Sequence, residues 1–285
     1  MSPRPLPSLL LDEFMAWGVS RMRRRAVRTG RFTGLVAPID DLIGQRIMAT
    51  GWFEATQMEA VQRLIDDPDF IGFRLRPNGA LVDVGANIGL YSIGFAGSFP
   101  RVLAVEANPA TFAVLQANLV LKQIEHVASV CAAASDRTGE AMLHVPDNGN
   151  LGWATLEHRP GVARTSRAVS CRTLDDLLRE NLGDEPIALL KIDVEGHEPV
   201  VLEGARGMLA RDRPVVLFEV SQGNATACAR LLRSIGYSRF LRFRRAARSP
   251  WEFLVGGLDV RAEPVVPEDT ERAAMICAVP DSAGA

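Results

Sequence analysis

One stretch of the chain constrains its fold most strongly, Ala80-Leu-Val-Asp-Val-Gly-Ala-Asn-Ile-Gly-Leu-Tyr91. Its first five residues form a short, mostly apolar run that is typical of a buried strand. Two glycines follow with the spacing Gly85-x-x-x-Gly89, and after them the apolar period becomes that of a helix. A strand, a glycine turn and a helix in this order form the nucleotide-binding corner of a doubly wound α/β sheet. Because glycine has no Cβ, the turn lets the backbone approach a ligand closely.

The composition of this turn indicates which kind of nucleotide it binds. A dinucleotide-binding turn has the pattern G-x-G-x-x-G, which aims backbone amides at a pyrophosphate. Here Ala86 and Asn87 follow the first glycine, and Asp83 lies two residues before it. A carboxylate there would repel a pyrophosphate but could help to hold a cationic or amino-bearing ligand. The pattern resembles motif I of the class I S-adenosylmethionine (SAM) methyltransferases.

A second acidic residue, Glu106, ends the next buried strand, which we predict over 101–106. It lies 17 residues beyond Gly89. Doubly wound folds place a carboxylate at about this point, where it can accept hydrogen bonds from two ribose hydroxyls. The sequence therefore predicts that Glu106 binds a ribose diol; the alternative is a solvated acid at a strand end.

The loop after a third predicted strand, 127–132, should lie near the adenine ring of a bound nucleotide. Ser135 and Asp136 lie in this loop, and either could accept a hydrogen bond from the exocyclic amine. An Asx turn that stabilises the chain before Gly139 is an equal alternative for Asp136.

A second charged hotspot, Lys191-Ile-Asp-Val-Glu-Gly-His-Glu198, lies at the end of a predicted central strand. Ligands bind at the carboxyl ends of the strands in open α/β sheets. We therefore expect Asp193, Glu195 and His197 to face the same crevice as Gly85; the alternative is a chance cluster of surface charges.

Three segments divide the chain. We predict an N-terminal extension and cap over 1–78, the nucleotide-binding domain over 79–261 and a flexible tail over 262–285, which is rich in prolines and acids. The arginine cluster between Arg21 and Arg31 is either a solvated helix face or a contact with a membrane surface or acidic partner. Inside the main domain, 146–167 reads as a long loop and is our candidate for the substrate-facing segment, through Asn150, Trp153 and Thr155.

Composition limits the other function classes. A net charge of -2 and a pI near 6.1 argue against a general nucleic-acid-binding surface. The four cysteines show no C-x-x-C pairing, so we expect buried thiols in a reducing compartment. We find no apolar run of about 18 residues and no signal-peptide pattern, so we expect a cytoplasmic protein without integral membrane association.

Four segments together carry a family resemblance: Asp83 to Gly89, Glu106 to Pro109, Ala134 to Asp136 and Lys191 to Glu198. In this order they resemble the FkbM family of SAM-dependent methyltransferases, and the similarity extends over about residues 40–260, including Gly51-Trp-Phe-Glu54. The resemblance implies an α/β fold of the Rossmann-like class I methyltransferase type, a doubly wound, seven-stranded, mostly parallel sheet with an N-terminal cap segment. It also implies methyl transfer, mostly to hydroxyl oxygens of sugars, polyketides or similar metabolites.

The resemblance also implies a role for each motif residue. The methionine end of SAM would lie against Asp83, Gly85, Asn87 and Gly89. The ribose would bind Glu106, and the adenine edge would bind Ser135 and Asp136. SAM itself would supply the electrophilic methyl group.

The protein would then have to remove a proton from the acceptor. His197 is the first candidate for this base, because an unperturbed imidazole has a pKa of about 6.5. Asp193 and Glu195 are the second candidates. These two carboxylates could instead hold a divalent ion, although we assign no metal ligand. As a further alternative, Glu195 to His197 only shape the turn into the next helix.

Other outcomes remain open at this point. The acceptor could be a nitrogen or a protein side chain, or the chain could be a non-catalytic nucleotide- or SAM-binding partner of another enzyme. A NAD-dependent oxidoreductase is disfavoured by the missing G-x-G-x-x-G pattern. The sequence indicates neither the acceptor nor the oligomeric state.

Overall fold

The computed structural model of the protein describes residues 34–38, 42–50, 53–147, 151–157, 164–221, 223–246, 259–270 and 275–281. The strands are β1 (Ala80–Val84), β2 (Val102–Glu106), β3 (Val127–Cys131), β4 (Ala133–Ser135), β5 (Gly139–Pro146), β6 (Arg164–Thr173), β7 (Ile187–Ile192), β8 (Val215–Phe218), β9 (Arg239–Ala246), β10 (Asp259–Pro264) and β11 (Ile276–Val279). The helices are α1 (Leu42–Thr50), α2 (Ala55–Asp66), α3 (Leu90–Gly94), α4 (Pro109–Leu121), α5 (Leu174–Asn181), α6 (Glu198–Glu203), α7 (Arg206–Asp212) and α8 (Ala225–Ser234).

The main sheet contains eight of the described strands in the order β10-β9-β11-β8-β7-β1-β2-β3. The pairs that join β3, β2, β1, β7 and β8 are all parallel. At the other edge, β11 runs antiparallel to both β8 and β9, and β10 runs antiparallel to β9. The expected mostly parallel α/β sheet is confirmed. The expected count of seven strands is one too low within the described residues, because β10 extends the edge.

The apolar strands of the sheet are buried on both faces, as their continuous apolar runs predict. Successive residues of β1 point to opposite faces of the sheet. Val82 therefore belongs to the apolar cluster that includes α5 to α8, and Leu81 belongs to the one that includes α1 to α4. Both side chains are fully buried. Helices therefore cover both faces, and the carboxyl ends of the strands are left as the open edge where a ligand can bind.

The predicted N-terminal cap is part of the main core in the described residues. Met58, Val61 and Leu64 of α2 are almost completely buried, in the same apolar cluster as Leu81 of β1. At the far end of α2, Arg63 donates to Asp259 Oδ1 at 2.9 Å and to the carbonyl of Val260 at 2.6 Å. A boundary at residue 78 therefore does not separate two cores. The arginine cluster between Arg21 and Arg31 lies outside the described residues.

The prediction that residues 262–285 form a flexible tail is wrong for the part of this segment that forms β11. Strand β11 lies between β8 and β9, and each of its four residues is fully buried. Pairing on both sides satisfies the backbone of this strand, and its apolar side chains fill the core. The sequence did not predict this strand, because its four apolar residues form a short run among prolines and acids. Only the pairing with β8 and β9 identifies it as a strand.

A smaller sheet has the order β4-β6-β5. Strands β5 and β6 pair from Gly139 with Cys171 to Pro146 with Arg164. The loop predicted over 146–167 is therefore shorter than expected, because β6 already begins at Arg164. Residues 148–150, including the candidate Asn150, and 158–163 lie outside the described residues.

Within the described part of the chain, none of the helices has the length and apolar composition needed to cross a membrane.

Candidate functional site

The carboxyl ends of β1, β2, β7 and β8 open onto one cleft with about 1170 Å³ of empty space, part of it open to solvent. Six of the ten predicted site residues line this cleft: Gly85, Asn87, Glu106, Asp193, Glu195 and His197. The other four, Asp83, Gly89, Ser135 and Asp136, are not among the lining residues. The structure therefore brings six of the predicted residues together at one cleft and leaves four outside its lining.

Gly85 brings the chain from β1 against the chain leaving β7. Its φ is 72°, and a Cβ at this position would lie 1.8 Å from the carbonyl oxygen of Asp193. Its own carbonyl oxygen accepts a hydrogen bond from Lys191 Nζ at 2.9 Å. Only glycine fits this close approach. The floor of the cleft is thus fixed where the two charged hotspots meet.

Gly89 has a packing role. Its φ is 93°, and a Cβ would come within 2.6 Å of the Leu115 side chain and 2.9 Å of the Ile93 side chain. Gly89 lets α3 begin close to α4. The predicted direct contact with a cofactor finds no support in this position.

Asp83 lies beneath the floor of the cleft and is 1% exposed. Its Oδ2 accepts from the Ser92 amide at 3.0 Å and from the Ser92 hydroxyl at 2.6 Å. Its Oδ1 lies 3.2 Å from Lys191 Nζ. These partners already use the carboxylate, so Asp83 organises α3 and Lys191 and does not present a free charge to a ligand.

Glu106 is held at the end of β2 by three donors. Oε2 accepts from the Asn87 amide at 2.8 Å, and Oε1 accepts from the Asn108 amide at 2.7 Å and from the Thr111 hydroxyl at 2.9 Å. Burial raises the pKa of Glu106, and the hydrogen bonds from Asn108 and Asn87 oppose that effect. The carboxylate is therefore rigid and connects the glycine turn to the end of β2.

Lys191, almost fully buried, is shared by several carboxylates. Besides Asp83, its Nζ approaches Asp193 Oδ2 at 3.6 Å. Burial would lower the pKa of Lys191, but the charges of Asp83 and Asp193 outweigh it and raise the pKa above its ordinary value. The ammonium also lies 5.1 Å from the centre of the Tyr91 ring. Lys191 thus stays charged and neutralises part of an acidic region.

Glu54, just ahead of α2, was not assigned a role from the sequence. It lines the cleft, and its Oε2 accepts from the Tyr91 hydroxyl at 2.9 Å. Burial, followed by the charge of Asp193, raises the pKa of Glu54 to about 7, against the lowering effect of Lys191. Among the described residues, a helix and not a strand precedes Glu54, so its position at a strand end could not have pointed to it.

Three carboxylates crowd together where β7 and β8 end: Asp193, Glu195 and Glu219. One oxygen of each lies within 4.8 Å of the others. Burial, and then the charges of Asp193 and Glu195, raise the pKa of Glu219 to about 10. Oxygen ligands at this spacing could hold a divalent cation, and a shared proton would relieve the same repulsion. Glu219 ends a strand as Asp193 does, a signal that sequence reasoning could have used.

The turn after β7 is shaped by Glu198, which is fully buried. Its Oε1 accepts from the amides of Val194 and Gly196 at 3.0 and 3.2 Å, and its Oε2 accepts from the Asn224 side chain. The backbone at Glu195 is left-handed, with φ of 56°. Glu198, which the sequence did not single out, therefore shapes this turn, and Glu195 lines the cleft.

His197 has a partner on each ring nitrogen. Nδ1 lies 2.8 Å from Glu157 Oε1, and Nε2 lies 3.2 Å from Ser135 Oγ. A carboxylate only accepts, so Nδ1 carries the proton and Nε2 of a neutral ring accepts from the Ser135 hydroxyl. The same hydroxyl has Asp136 Oδ1 as a second acceptor at 3.2 Å. Ser135 thus supports His197, and neither Ser135 nor Asp136, which is exposed beside Arg137, lines the cleft.

Residues 151–157 pack over the turn after β7. The Thr155 hydroxyl donates to the Glu195 carbonyl at 2.8 Å, and the Thr155 backbone pairs with that of His144. Trp153 lines the cleft and is 47% exposed. Of the three candidates in this segment, Trp153 and Thr155 do lie at the cleft.

Comparison with known proteins decides the family. The profile of the methyltransferase FkbM domain matches residues 83–244, more than half of the chain. The chain belongs to the FkbM methyltransferase family. This FkbM methyltransferase is 33% identical over 160 residues to methyltransferase sdnD of Sordaria araneosa, an alignment that covers 46% of the chain and 61% of the relative.

A second relative is the 31-O-demethyl-FK506 methyltransferase FkbM of Streptomyces tacrolimicus, with 31% identity over 162 residues, 47% of this chain and 62% of the relative. The matched part of the FkbM methyltransferase thus spans less than two thirds of either relative. The solved structure of methyltransferase FkbM from Methylobacillus flagellatus KT aligns with a TM-score of 0.44 and 16% identity, covering 92% of this chain and 58% of that one. Glu54 lies outside the segment that the family profile matches.

Proposed function

We propose that this FkbM methyltransferase transfers a methyl group from SAM to a hydroxyl oxygen of a carbohydrate or secondary metabolite. The observation that carries the proposal is the order of groups along the cleft, which follows the strand order β3-β2-β1-β7-β8. An apolar wall of Ala132 to Ala134 comes first, then Glu106, then the Gly85 turn, and finally the acidic cluster at Asp193. We call the part from Ala132 to Gly85 the cofactor side and the part around Asp193, Glu195 and Glu219 the acceptor side.

The cofactor side fits the adenosine part of SAM. Ala132 to Ala134 and Leu143 offer apolar surface to an adenine ring. Glu106 Oε2 accepts one protein hydrogen bond, and since a carboxylate oxygen has two lone pairs, it can accept another from a ribose hydroxyl. The Gly85 backbone lines the cleft between Glu106 and the acidic cluster. When bound, SAM supplies an electrophilic methyl group.

The acceptor side fits removal of a proton. Among the predicted catalytic residues, the contacts favour the carboxylates of Asp193 and Glu195 as proton acceptors, because both line the cleft and lie close to each other and to Glu219. His197 can accept a proton on Nε2 only when Ser135 turns its hydroxyl to Asp136. We propose that His197 acts there mainly by orienting the turn that carries Glu195.

A hydroxyl acceptor is supported by one relative and one side chain. The relative from Streptomyces tacrolimicus carries an oxygen position in its name, 31-O-demethyl-FK506 methyltransferase. Beside the acidic cluster, the half-exposed Trp153 offers an apolar ring face next to polar groups. Such a surface suits a molecule that has both apolar faces and hydroxyls.

The test combines binding with transfer. Calorimetry with SAM, S-adenosylhomocysteine and NAD should show micromolar binding of the first two and no binding of NAD. Label from methyl-labelled SAM should then appear on hydroxyl-bearing members of a metabolite panel, and not on their amino analogues, with and without a chelator. Tight NAD binding with millimolar SAM binding would overturn the proposal. Transfer only to amines would favour nitrogen methylation, and tight SAM binding without any transfer would favour a non-catalytic partner protein.

A further inference from the structure

The carboxylate of Glu54 reaches the cleft from outside the segment that the family profile matches. Its backbone is left-handed, with φ of 49° and ψ of 42°, immediately ahead of α2. Met58 and Val61 of that helix are buried in the core, and the Met58 amide bonds to the Glu54 carbonyl at 2.9 Å. A non-glycine residue in this conformation is held there by its surroundings. The position of Glu54 is therefore fixed by the fold.

The charges around Glu54 are unbalanced. Glu54, Asp83 and Asp193 all act on the single ammonium of Lys191. That ammonium lies 3.2 Å from Asp83 and 3.6 Å from Asp193, and within the part of the chain that the structure describes, no cation forms an ion pair with Glu54. Its hydrogen bond from Tyr91 occupies only Oε2. The region therefore favours an additional positive charge beside Glu54.

The place of Glu54 along the cleft identifies which cation this would be. Glu106 marks the ribose position at the end of β2, and the Gly85 turn lies between it and β7. Glu54 belongs to the far side of this turn, since it contacts Tyr91 and is influenced by Lys191 and Asp193. If the ribose of SAM binds Glu106, its amino-acid part, which carries the α-ammonium group, would reach across the Gly85 turn toward Glu54.

We propose that Glu54 binds the α-ammonium group of the cofactor, the role that the sequence suggested for Asp83. Asp83 is excluded from it because its side chain is 1% exposed, does not line the cleft and is held behind it by Ser92 and Lys191. The inference rests on the proposed function, since it takes SAM as the ligand. Burial and the charge of Asp193 raise the pKa of Glu54, which agrees with a site that is completed by a cation.

The test is calorimetry of the wild-type protein and Glu54→Gln with three ligands: SAM, S-adenosylhomocysteine and 5′-methylthioadenosine. The third ligand has the adenosine part but no amino-acid part. Glu54→Gln should weaken the binding of SAM and of S-adenosylhomocysteine by the same factor, about ten- to a hundredfold. The affinity for 5′-methylthioadenosine should stay within about twofold of the wild-type value. Tyr91→Phe, which removes the hydrogen bond that orients Glu54, should act in the same direction with a smaller change.

Glu59→Gln is the matched control. Glu59 lies on α2, the helix that follows Glu54, and pairs with Arg245 at 2.6 Å on the outside of the protein, so its variant should bind all three ligands normally. Circular dichroism and melting curves confirm that each variant is folded.

Three results would overturn the inference alone. In the first, Glu54→Gln weakens the binding of all three ligands equally. In the second, it weakens the binding of SAM but not of S-adenosylhomocysteine. In the third, it leaves the binding of both unchanged and lowers turnover. A wild-type protein that binds none of the three overturns the proposed function as well.

Discussion

On the cofactor side of the cleft, the carboxylate of Glu106 has three hydrogen-bond donors, whereas on the acceptor side three carboxylates crowd within 4.8 Å of one another. Glu106 and its donors come from a short stretch of chain around β1 and β2. The acceptor side gathers Asp193, Glu195 and Glu219 from two strands and is covered by residues 151–157. On the cofactor side, the carboxylate of Glu106 already has its hydrogen-bond donors when no ligand is bound. On the acceptor side, the three carboxylates repel one another, and binding of a proton or a cation would reduce that repulsion.

This difference suggests a division of work. A rigid, satisfied site binds the part of the ligand that stays unchanged. A crowded acidic site suits the part where a proton must move, because burial and the neighbouring charges raise the pKa of Glu219 there to about 10. Substitutions on the two sides should therefore affect different measured quantities, and the following experiments are arranged from the largest expected effect to the smallest.

Asp193→Asn should reduce turnover by about 10²- to 10⁴-fold, the usual contribution of a general base. The affinity for S-adenosylhomocysteine should change much less, since the cofactor side is intact. Single-turnover kinetics with an acceptor from the metabolite panel, together with calorimetry, separates the two quantities. Normal turnover with weakened cofactor binding would reverse the assignment of the two sides.

Gly85→Ala should weaken SAM binding by about a hundredfold or more and lower the melting temperature. The added Cβ would lie 1.8 Å from the Asp193 carbonyl oxygen, so the two chains of the floor must move apart. Gly97→Ala serves as the control, because Gly97 has nothing within 4 Å of the corresponding position. If Gly85→Ala binds SAM normally, the close approach of β1 and β7 is not needed for the cofactor.

His197→Ala should lower turnover less than about tenfold and leave SAM binding within about threefold, if His197 orients the turn. Glu157→Gln, which weakens the contact at Nδ1, should give a similar but smaller loss. A loss of 10² or more for His197→Ala, with a matching change in the pH profile, would instead make the imidazole the base.

Glu219→Gln tests the stored repulsion by its effect on stability. The pKa of Glu219 in the folded protein is about 10, far above the ordinary value of 4.5, so the folded state holds a proton that the unfolded state has released. Stability from this group is complete below about pH 4.5 and is lost as the pH rises toward 10. Glu219→Gln should therefore match the wild type near pH 5 and melt at least about 2 °C higher at pH 9. Equal melting temperatures at both pH values would show that the cluster is relaxed.

Much of the fold was predictable because its signals are local. The strands at 80–84, 102–106 and 187–192 are mostly apolar runs with a charged residue at or beside their carboxyl ends, and the structure forms a strand at each. The side chain of Thr173, which stands just before two acids in the sequence, caps α5 by accepting from the Asp176 amide at 3.1 Å. Each of these features depends on residues that are neighbours in the chain.

Other features depended on partners that are distant in the chain. Strand β11 has only four apolar residues, and its identity as a central strand comes from pairing with β8 and β9. The sequence also favours a strand at 251–255, and these residues lie outside the described ones.

The sequence by itself determined the sheet, the glycine turn and the set of acids at strand ends, because these follow from side-chain period and from the lack of a Cβ at Gly85. Only the tertiary structure decided which acids face the cleft. Asp83 is enclosed by Ser92 and Lys191, while Glu54 enters from an element 29 residues upstream in the numbering. The physical reason is that the burial of a carboxylate and the charges around it are set only when the chain packs. Two carboxylates in similar sequence positions therefore differ once one of them is buried with hydrogen-bond donors and the other faces the cleft.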